Sequence, residues 1–443
     1  MKQNMKAVQE LLAFIRKSPT AYQAVSTVAE MLEEAGYTRL EEGDSWNLIP
    51  GGKYYLTRNL SSVLAFALPE GAPDSFLIAA SHSDSPTFKL KDSYLSPAFG
   101  KYVRFNTERY GGMLLSTWFD RPLSVAGRVI LRQDGHFIAK SVVVDRDLCL
   151  IPNVAIHLNR DVNNGYKYNP AVDLLPLYGM ADSTQTVKKE VAEAAGVAED
   201  AVVGADLYLY DRMPGVIFGA DNAFFASPRI DNLMCAYGTL RGFLDAREVQ
   251  NAVKVYACFD NEETGSATKQ GAASMLLRDT LSRIAESASV DLRRMLANSF
   301  MVSADNGHAR HPNHPELSDG QNAPDLNGGV VIKANAAQKY TTDALSAALF
   351  SSICRSAGVP VQGYANRSDL PGGSTLGSIS DVQVPLCTVD IGMAQLAMHS
   401  AYETAGCADV DYLCRAMTAF FGAVIRSGGD GRWTLSETEE EKK

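Results

Sequence analysis

Cysteine is scarce in this sequence and shows no pairing pattern. The 443 residues include seven cysteines, at positions 149, 235, 258, 354, 387, 407 and 414. The number is odd, no C-x-x-C motif occurs, and most of these cysteines lie in apolar stretches, as reduced core thiols do. This pattern argues against a disulfide framework and predicts a protein of the reducing cytoplasm.

Long apolar runs and basic clusters are missing too. No run of 18 apolar residues exists, so we predict no membrane span and no membrane partner. The N-terminal stretch MKQNMKAVQELLAFIRKSPT has only a short apolar patch and no small-residue cleavage site, which predicts a helix rather than a signal peptide. The formal net charge of −10 and the lack of a basic run argue against a nucleic-acid partner.

The chain is long enough for two domains, because 443 residues exceed one ordinary core. Between about residues 93 and 224, short β-type runs alternate with turn signals, and Asp134-Gly135 predicts a hairpin. One helix, TVKKEVAEAAG, interrupts these runs. We predict that residues 93–224 form a β-rich domain inserted into a catalytic domain made of residues 1–92 and 225–443.

Strands and helices alternate outside that block. SSVLAFALPEG, SFLIAASHSDS, VKVYACF, SFMVSA, VVIK and VPLCTVDIG are predicted as strands. NLMCAYGTLRGFLDA, TDALSAALFSSICRSAG and VDYLCRAMTAFFGAVIRSGG are predicted as helices, and the final SETEEEKK as a charged tail. The alternation predicts an α/β fold, with a mixed sheet that carries helices on both faces.

Acidic residues and histidines follow several of the predicted strands. His82 and Asp84 follow SFLIAAS, Glu262 and Glu263 follow VKVYACF, Asp305 ends SFMVSAD, and His399 follows PLCTVDIG. Ligands of open α/β sheets bind beyond the carboxyl ends of the strands, so these side chains are expected along one rim. Asp231, in SPRIDNL, lies just before a predicted helix and is a further candidate.

Each of these residues also has a purely structural explanation. A lone histidine after a strand is commonly a core or loop residue, and an adjacent glutamate pair is commonly a solvated loop. Asp231 fits a helix N-cap, Asp305 fits an Asx-turn, and Asp84 could brace a turn. Independent loops, however, have no reason to place only these residue types at strand ends.

Zinc supplies such a reason, because it binds histidine nitrogen and carboxylate oxygen and keeps a position open at catalytic sites. Two metal ions roughly 3.5–4 Å apart need a bridging ligand, and a carboxylate with two oxygens serves well. Two histidines and three carboxylates can therefore hold two ions. A further glutamate beside one ligand can then accept a proton from the bridging water.

The chain resembles the aspartyl aminopeptidase family of dinuclear metallo-aminopeptidases. The matching stretches are SPTAYQAV, SHSDSPTFKLK, IPNVAIHLNR, SPRIDNL, FDNEETGS, SADNGHARHPN, VIKANAAQKY and LAMHS. They extend from residue 18 to residue 400, which is almost the whole chain. Single pieces such as H-x-D are weak signals, but the full ordered set is strong.

The resemblance implies a ligand set for two divalent metal ions. His82, Asp231 and Asp305 would hold one ion, and Asp231, Glu263 and His399 would hold the other, with Asp231 as the bridge. Zinc is the first expectation, and manganese or cobalt are alternatives because His and carboxylate ligands accept all three.

The same resemblance assigns roles to neighbouring residues. Glu262 would be the general base. It would accept a proton from the metal-bridging water, and the resulting hydroxide would attack the substrate. Asp84 would hydrogen-bond His82 and fix its tautomer. The peptide bond between Asp231 and Asn232 is expected to be cis.

Substrate recognition and assembly are also implied by the family. Lys333 would face the side-chain carboxylate of an N-terminal Asp or Glu, and Tyr340 would either position the substrate or its oxyanion or be a core aromatic. His308 and His311, which follow Asp305, would either contact the site or only order their loop. His157, in the inserted domain, would reach the active site of a neighbouring subunit. The family forms dimers that assemble into tetrahedral dodecamers.

The sequence therefore predicts a cytoplasmic metallo-aminopeptidase that removes N-terminal Asp or Glu from peptides. Gly372 and Met393–Ala394 depart from the pattern of eukaryotic aspartyl-specific members, which leaves open a preference for neutral or hydrophobic N-termini. Two other hypotheses remain. One is a deacylase of N-acyl amino acids, which would use similar ligands, and the other is an assembly protein with a structural metal.

Overall fold

The computed structural model describes residues 2–248, 251–370 and 372–436. Residues 437–443 of the predicted charged tail lie outside the described residues. The helices are α1 (Lys2–Lys17), α2 (Ala21–Glu34), α3 (Val187–Ala195), α4 (Ile230–Asp245), α5 (Leu276–Ser287), α6 (Leu292–Ala297), α7 (Ala344–Ser356), α8 (Leu376–Asp381) and α9 (Cys407–Phe421).

The strands of the first half of the chain are β1 (Thr38–Arg39), β2 (Lys53–Arg58), β3 (Ser62–Ala67), β4 (Ser75–His82), β5 (Thr87–Ala98), β6 (Tyr102–Tyr110), β7 (Leu123–Gln133), β8 (His136–Val143), β9 (Leu177–Met180), β10 (Val202–Asp211), β11 (Val216–Phe218) and β12 (Phe224–Ser227). Those of the second half are β13 (Ala252–Phe259), β14 (Phe300–Ala304), β15 (Gly307–His308), β16 (Val330–Lys333), β17 (Val361–Tyr364), β18 (Cys387–Gly392), β19 (Ala394–Leu396), β20 (Glu403–Gly406), β21 (Val424–Ser427) and β22 (Trp433–Ser436).

A nine-stranded mixed sheet forms the centre of the catalytic part, in the order β1-β2-β3-β13-β4-β14-β18-β16-β17. The four consecutive strands β13, β4, β14 and β18 run parallel to one another. Strand β3 is antiparallel to β13, and β16 is antiparallel to β18. Strands β4, β13 and β14 are buried along their whole length, which explains why they are continuous apolar runs in the sequence.

Helices cover both faces of this sheet, as predicted. Because side chains alternate along a strand, Leu77 and Ala79 of β4 pack towards one face, with α1, α2, α4, α7 and α9. Phe76 and Ile78 pack towards the other, with α5, α6 and α8. Phe243 of α4 is fully buried in the first layer, and removing such a ring typically costs about 3–5 kcal/mol.

A second, six-stranded sheet carries the β-rich region, in the order β8-β7-β10-β5-β6-β9, and has its own hydrophobic cluster. The predicted hairpin is present between β7 and β8, where Asp134 and Gly135 have φ angles of 51° and 83°. Both angles are positive, as a two-residue type I′ turn requires. Residue 93 lies inside strand β5, and strand β12 begins at Phe224. The domain limits at residues 93 and 224 therefore stay predictions.

A third sheet, of order β11-β12-β20-β19-β15, joins distant parts of the chain. Strand β12 leads directly towards Asp231, while the connection from β19 to β20 contains His399. The antiparallel pairing of β12 with β20, in which Phe225 lies opposite Ala405, brings these two connections together.

The predicted closing helix over VDYLCRAMTAFFGAVIRSGG is wrong beyond Phe421. The helix α9 ends at Phe421, and Val424–Ser427 instead forms strand β21, paired with β22. Gly422 interrupts the helix, and the β-branched residues after it favour an extended chain. Within the described ranges, no helix combines the length and apolar composition needed to cross a bilayer.

Candidate metal centre

The four parallel strands bring the predicted residues to one rim. Their order in the sheet is β13, β4, β14 and β18, and their carboxyl ends lead to Glu262 and Glu263, to His82, to Asp305 and to His399. Since neighbouring parallel strands end on the same side, residues that are far apart in sequence meet there.

His82, Asp231 and Asp305 form one group. The Nε2 atom of His82 lies 3.6 Å from Asp231 Oδ1 and 3.6 Å from Asp305 Oδ1. Each residue offers one ligand atom within 4.8 Å of the others. The side chains of His82 and Asp231 are only 1% and 4% exposed, so the group lies at the bottom of the site.

Asp231, Glu263 and His399 form a second group. The Nε2 atom of His399 lies 3.4 Å from Asp231 Oδ2 and 3.4 Å from Glu263 Oε2. Asp231 thus presents one carboxylate oxygen to each group. The imidazole of His399 is 34% exposed, so the site opens to solvent on this side. The peptide bond between Asp231 and Asn232 is cis, as the resemblance implied.

These two groups fit divalent zinc. Asp231 Oδ1 and Glu263 Oε1 are buried carboxylate oxygens without a hydrogen-bond partner, a costly arrangement unless a cation faces them. The donors are imidazole nitrogen and carboxylate oxygen, which zinc prefers. Glu262 lies beside them, in a third group with His82 and Glu263.

The Nδ1 atom of His82 faces Asp84, and the backbone carbonyl of Asp84 is closer to it than the carboxylate. The Nδ1 atom of His82 lies 3.1 Å from the carbonyl oxygen of Asp84 and 3.3 Å from its Oδ1. A proton on Nδ1 satisfies that carbonyl and leaves the Nε2 lone pair directed at Asp231 and Asp305.

The Asp84 carboxylate instead organises the twin glutamates. It accepts hydrogen bonds from the backbone N–H groups of Glu262 and Glu263, both at 3.2 Å. It also accepts one from the hydroxyl of Tyr110 at 2.6 Å, and that hydroxyl accepts one from Asn261 Nδ2. The short Glu262–Thr264 turn after β13 is therefore held by a carboxylate from the end of β4.

The surroundings of the cluster raise the pKa of both Glu262 and His82, for different reasons. Burial raises the pKa of Glu262 to about 7, and the charges of Asp305 and Asp84 add to this against the opposing effect of His82. Burial alone would lower the pKa of His82, but the hydrogen-bonding carboxylates of Asp231 and Asp305 raise it well above its usual value. The cluster therefore favours bound positive charge.

Lys333 reaches the same rim from an antiparallel strand. Its ammonium donates to the carbonyl oxygen of Asn306 at 2.8 Å and lies 3.8 Å from Asp305 Oδ2. The ammonium also lies 5.5 Å from the ring centroid of Tyr340. Tyr340 itself is buried in a small apolar cluster with Tyr364. Both predicted substrate residues thus border the Asp305 side of the site.

The other two predicted substrate residues are exposed, and His308 lies within electrostatic range of Lys333, Asp231 and Asp305. His308 is exposed in β15, with its ring 6.4 Å from that of Tyr364. His157 is exposed in a loop of the β-rich region. Of the ligand groups found among the described residues, none includes either histidine.

Two residues that touch the site were not identified from the sequence. Tyr110 is the last residue of β6 in the β-rich region, and no local motif marks it. Glu403 is buried at the start of β20 and hydrogen-bonds the backbone of both Asp231 and His399. Its only sequence signal is its position four residues after His399, a spacing that carries no specific meaning in a loop.

Comparison with known proteins identifies the family of this chain. The model of the Aminopeptidase I zinc metalloprotease (M18) family matches residues 14–421. The Probable M18 family aminopeptidase 2 of Clostridium novyi (strain NT) is 42% identical over 432 residues, which cover 95% of this chain and 100% of that protein.

Solved structures show the same fold. A chain in the cryo-EM structure of the Ape4 and Nbr1 complex superposes with a TM-score of 0.91 at 34% identity, covering 95% of this chain and 86% of that one. The mApe1 dodecamer of S. cerevisiae has a TM-score of 0.83 at 29% identity, with 95% and 97% coverage. The chain therefore belongs to the M18 family of zinc metallo-aminopeptidases.

Proposed function

We propose that this metallo-aminopeptidase removes the N-terminal residue of peptides, with a preference for Asp or Glu, and uses two divalent metal ions. The observation that carries the proposal is the pair of ligand groups that share Asp231, with Glu262 beside them. The excess of carboxylates in this buried cluster supports two cations rather than one.

The proposed ligands follow from the two groups. His82, Asp231 and Asp305 would hold one ion, and Asp231, Glu263 and His399 the other. Zinc, when bound, supplies Lewis acidity that eases deprotonation of water and polarises a carbonyl.

Glu262 is the proposed proton carrier of the reaction. It lies beside His82 and Glu263 but belongs to neither of the two groups that share Asp231. It accepts the proton of the attacking water and later donates it to the leaving amine. Asp84 positions it through the backbone N–H groups of Glu262 and Glu263. These hydrogen bonds fix the backbone of the turn. The Glu262 carboxylate therefore needs no hydrogen bond within the turn to stay directed at the cluster.

Lys333 is the proposed determinant of the acidic preference. Its side chain is 3% exposed, and a charge interaction is stronger in such a setting than in water. An ammonium carries three donors, and one of them is used by the carbonyl of Asn306. A substrate carboxylate would accept a hydrogen bond from a second donor of Lys333. Its negative charge would offset the energetic cost of burying the ammonium.

Lys333→Met should lower kcat/KM for a peptide with N-terminal Asp by about 10- to 100-fold, the usual value of a hydrogen bond to a charged group. The matching peptide with N-terminal Leu should change much less. The measurement is release of the free amino acid from both peptides, together with zinc per chain.

Lys254→Met is the matched control, because Lys254 is another buried lysine, in β13, that donates to a carbonyl away from the rim. Equal turnover of Asp and Leu peptides by the native enzyme would contradict the acidic preference and favour neutral N-termini. An unchanged preference in Lys333→Met would remove Lys333 from substrate recognition.

Self-association through the β-rich region is the proposed quaternary arrangement, as dimers within a tetrahedral dodecamer. The dodecameric state named for the similar mApe1 supports it. Val154, Ile156 and Leu158, which flank His157, are 53%, 48% and 82% exposed, and such apolar exposure is typical of contact surfaces. In that assembly His157 would enter a neighbouring active site. The particle mass in solution, measured by light scattering, tests this arrangement.

The proposed location is the cytoplasm. All seven cysteines are free thiols in the structure, which is the usual state in a reducing compartment.

A further inference from the structure

Glu403 is a buried carboxylate that contacts two predicted metal ligands only through their backbone. It is 2% exposed. Its Oε2 accepts a hydrogen bond from the N–H of Asp231 at 2.9 Å, and its Oε1 accepts one from the N–H of His399 at 2.8 Å. One side chain thus holds two chain segments that are far apart in sequence.

The two segments lack regular backbone pairing at these positions. Asp231 has non-helical angles (φ −80°, ψ 111°) although it lies in the first turn of α4. His399 has a φ of 65°, in the left-handed region that is unfavourable for a histidine. Their N–H groups therefore depend on Glu403 for a partner, since buried backbone donors must be satisfied.

The other ligands are held differently. His82 is the last residue of β4 and lies opposite Phe259 of β13 in the sheet. The N–H of Asp305 donates to the carbonyl of Ile391 at 2.9 Å. Of the group His82–Asp231–Asp305, only Asp231 relies on Glu403. Of the group Asp231–Glu263–His399, both Asp231 and His399 do.

Glu403 is itself fixed by an amide relay. Gln395 Nε2 donates to Glu403 Oε1 at 3.2 Å, and Gln395 Oε1 accepts from Asn306 Nδ2 at 2.8 Å. Asn306 follows Asp305 and also donates to the carbonyl of Ile230. The relay links the backbone on both sides of the metal centre, so the carboxylate has one defined orientation.

We propose that Glu403 is a positioning residue that sets the affinity of the Asp231–Glu263–His399 group for its ion more than that of the other group. This inference rests on the proposed two-ion centre. Glu403 acts by fixing where the two ligands point, and it binds no ion itself. Partners that orient metal ligands typically change affinity by about 10- to 100-fold.

Glu403→Gln tests this with little change in volume. The amide keeps one acceptor oxygen, and its NH2 group would face a backbone N–H. In the metal-stripped full chain, competition titration with zinc and a chelator should show two ions for the native protein. The variant should hold one ion with nearly native affinity and the second about 10- to 100-fold more weakly.

Asp409→Asn is the matched control. Asp409 is another fully buried carboxylate that accepts two backbone N–H groups, those of Asn327 at 2.7 Å and Gly329 at 3.0 Å, away from the metal centre. A general loss of stability would lower the unfolding temperature of both variants, but the proposal expects weakened zinc binding only in Glu403→Gln.

Gln395→Met provides a milder second variant if Glu403→Gln fails to fold. It removes the hydrogen bond from Gln395 to Glu403. It should weaken the binding of the same ion, by a smaller factor than Glu403→Gln does. Zinc affinities in these variants that match those of the native protein and Asp409→Asn would overturn the role of Glu403. One zinc per native chain would instead overturn the two-ion centre on which it rests.

Discussion

Glu262→Gln should lower turnover by about 10²- to 10⁴-fold, the usual contribution of a general base, while zinc per chain stays unchanged. The substitution keeps the shape of the side chain but removes its ability to accept a proton. The backbone hydrogen bond from Glu262 to Asp84 does not involve the altered group, so the turn should keep its conformation. Steady-state kinetics and elemental analysis on the same sample provide the measurement.

The adjacent Glu263→Gln is the natural control. Glu263 Oε2 lies 3.4 Å from His399 Nε2 and its side chain is 3% exposed, so its loss should lower zinc content as well as turnover. The two neighbouring substitutions therefore separate proton transfer from metal binding. If Glu262→Gln lost zinc to the same extent as Glu263→Gln, Glu262 would be a ligand and the proposed general base would be wrong.

Asp231→Asn should weaken binding of both ions and lower turnover by more than about 10³-fold. The expected loss exceeds the 10- to 100-fold typical of residues that only orient a ligand, because Asp231 offers one oxygen to each group. Asparagine has a single carbonyl oxygen and no charge. Zinc titration of the metal-stripped protein should show weaker binding at both positions.

Asp305→Asn is the matched comparison, because Asp305 belongs to one group only. This substitution should weaken the binding of one ion and leave the affinity for the other close to its native value. Both variants need an unfolding temperature near that of the native chain for the comparison to hold. Equal effects of the two substitutions would contradict the sharing of Asp231 and favour a single-ion site.

The candidate metal centre was predictable because most of its residues follow recognisable strands. β4, β13, β14 and β18 are buried on both faces and so are apolar throughout, which makes their ends visible as the points where polar residues begin. His82, Glu263 and Asp305 each lie within a few residues of such an end. The sheet order that makes these ends adjacent was not predictable from those runs.

The sequence patterns did not identify Glu403 and Tyr110, which contact the candidate ligands or their turn. Glu403 matters because β12 pairs with β20, a contact between segments that are distant in the chain. Tyr110 matters because β6 ends beside Asp84. The Nδ1 partner of His82 is a backbone carbonyl, and main-chain contacts leave no residue-specific pattern. Strand β21 was likewise missed, because its apolar residues continue the helical pattern of α9.

The sequence by itself determined the class of fold and the family and singled out the five candidate ligands, because each depends on residue types at the ends of locally encoded elements. The resemblance already implied a division into two groups around Asp231, but the tertiary structure alone decided the distances within those groups and which buried carboxylates contact them. That division depends on distances between atoms whose residues are separated by up to several hundred positions. Only the pairing of strands and the packing of helices on the sheet fix such distances.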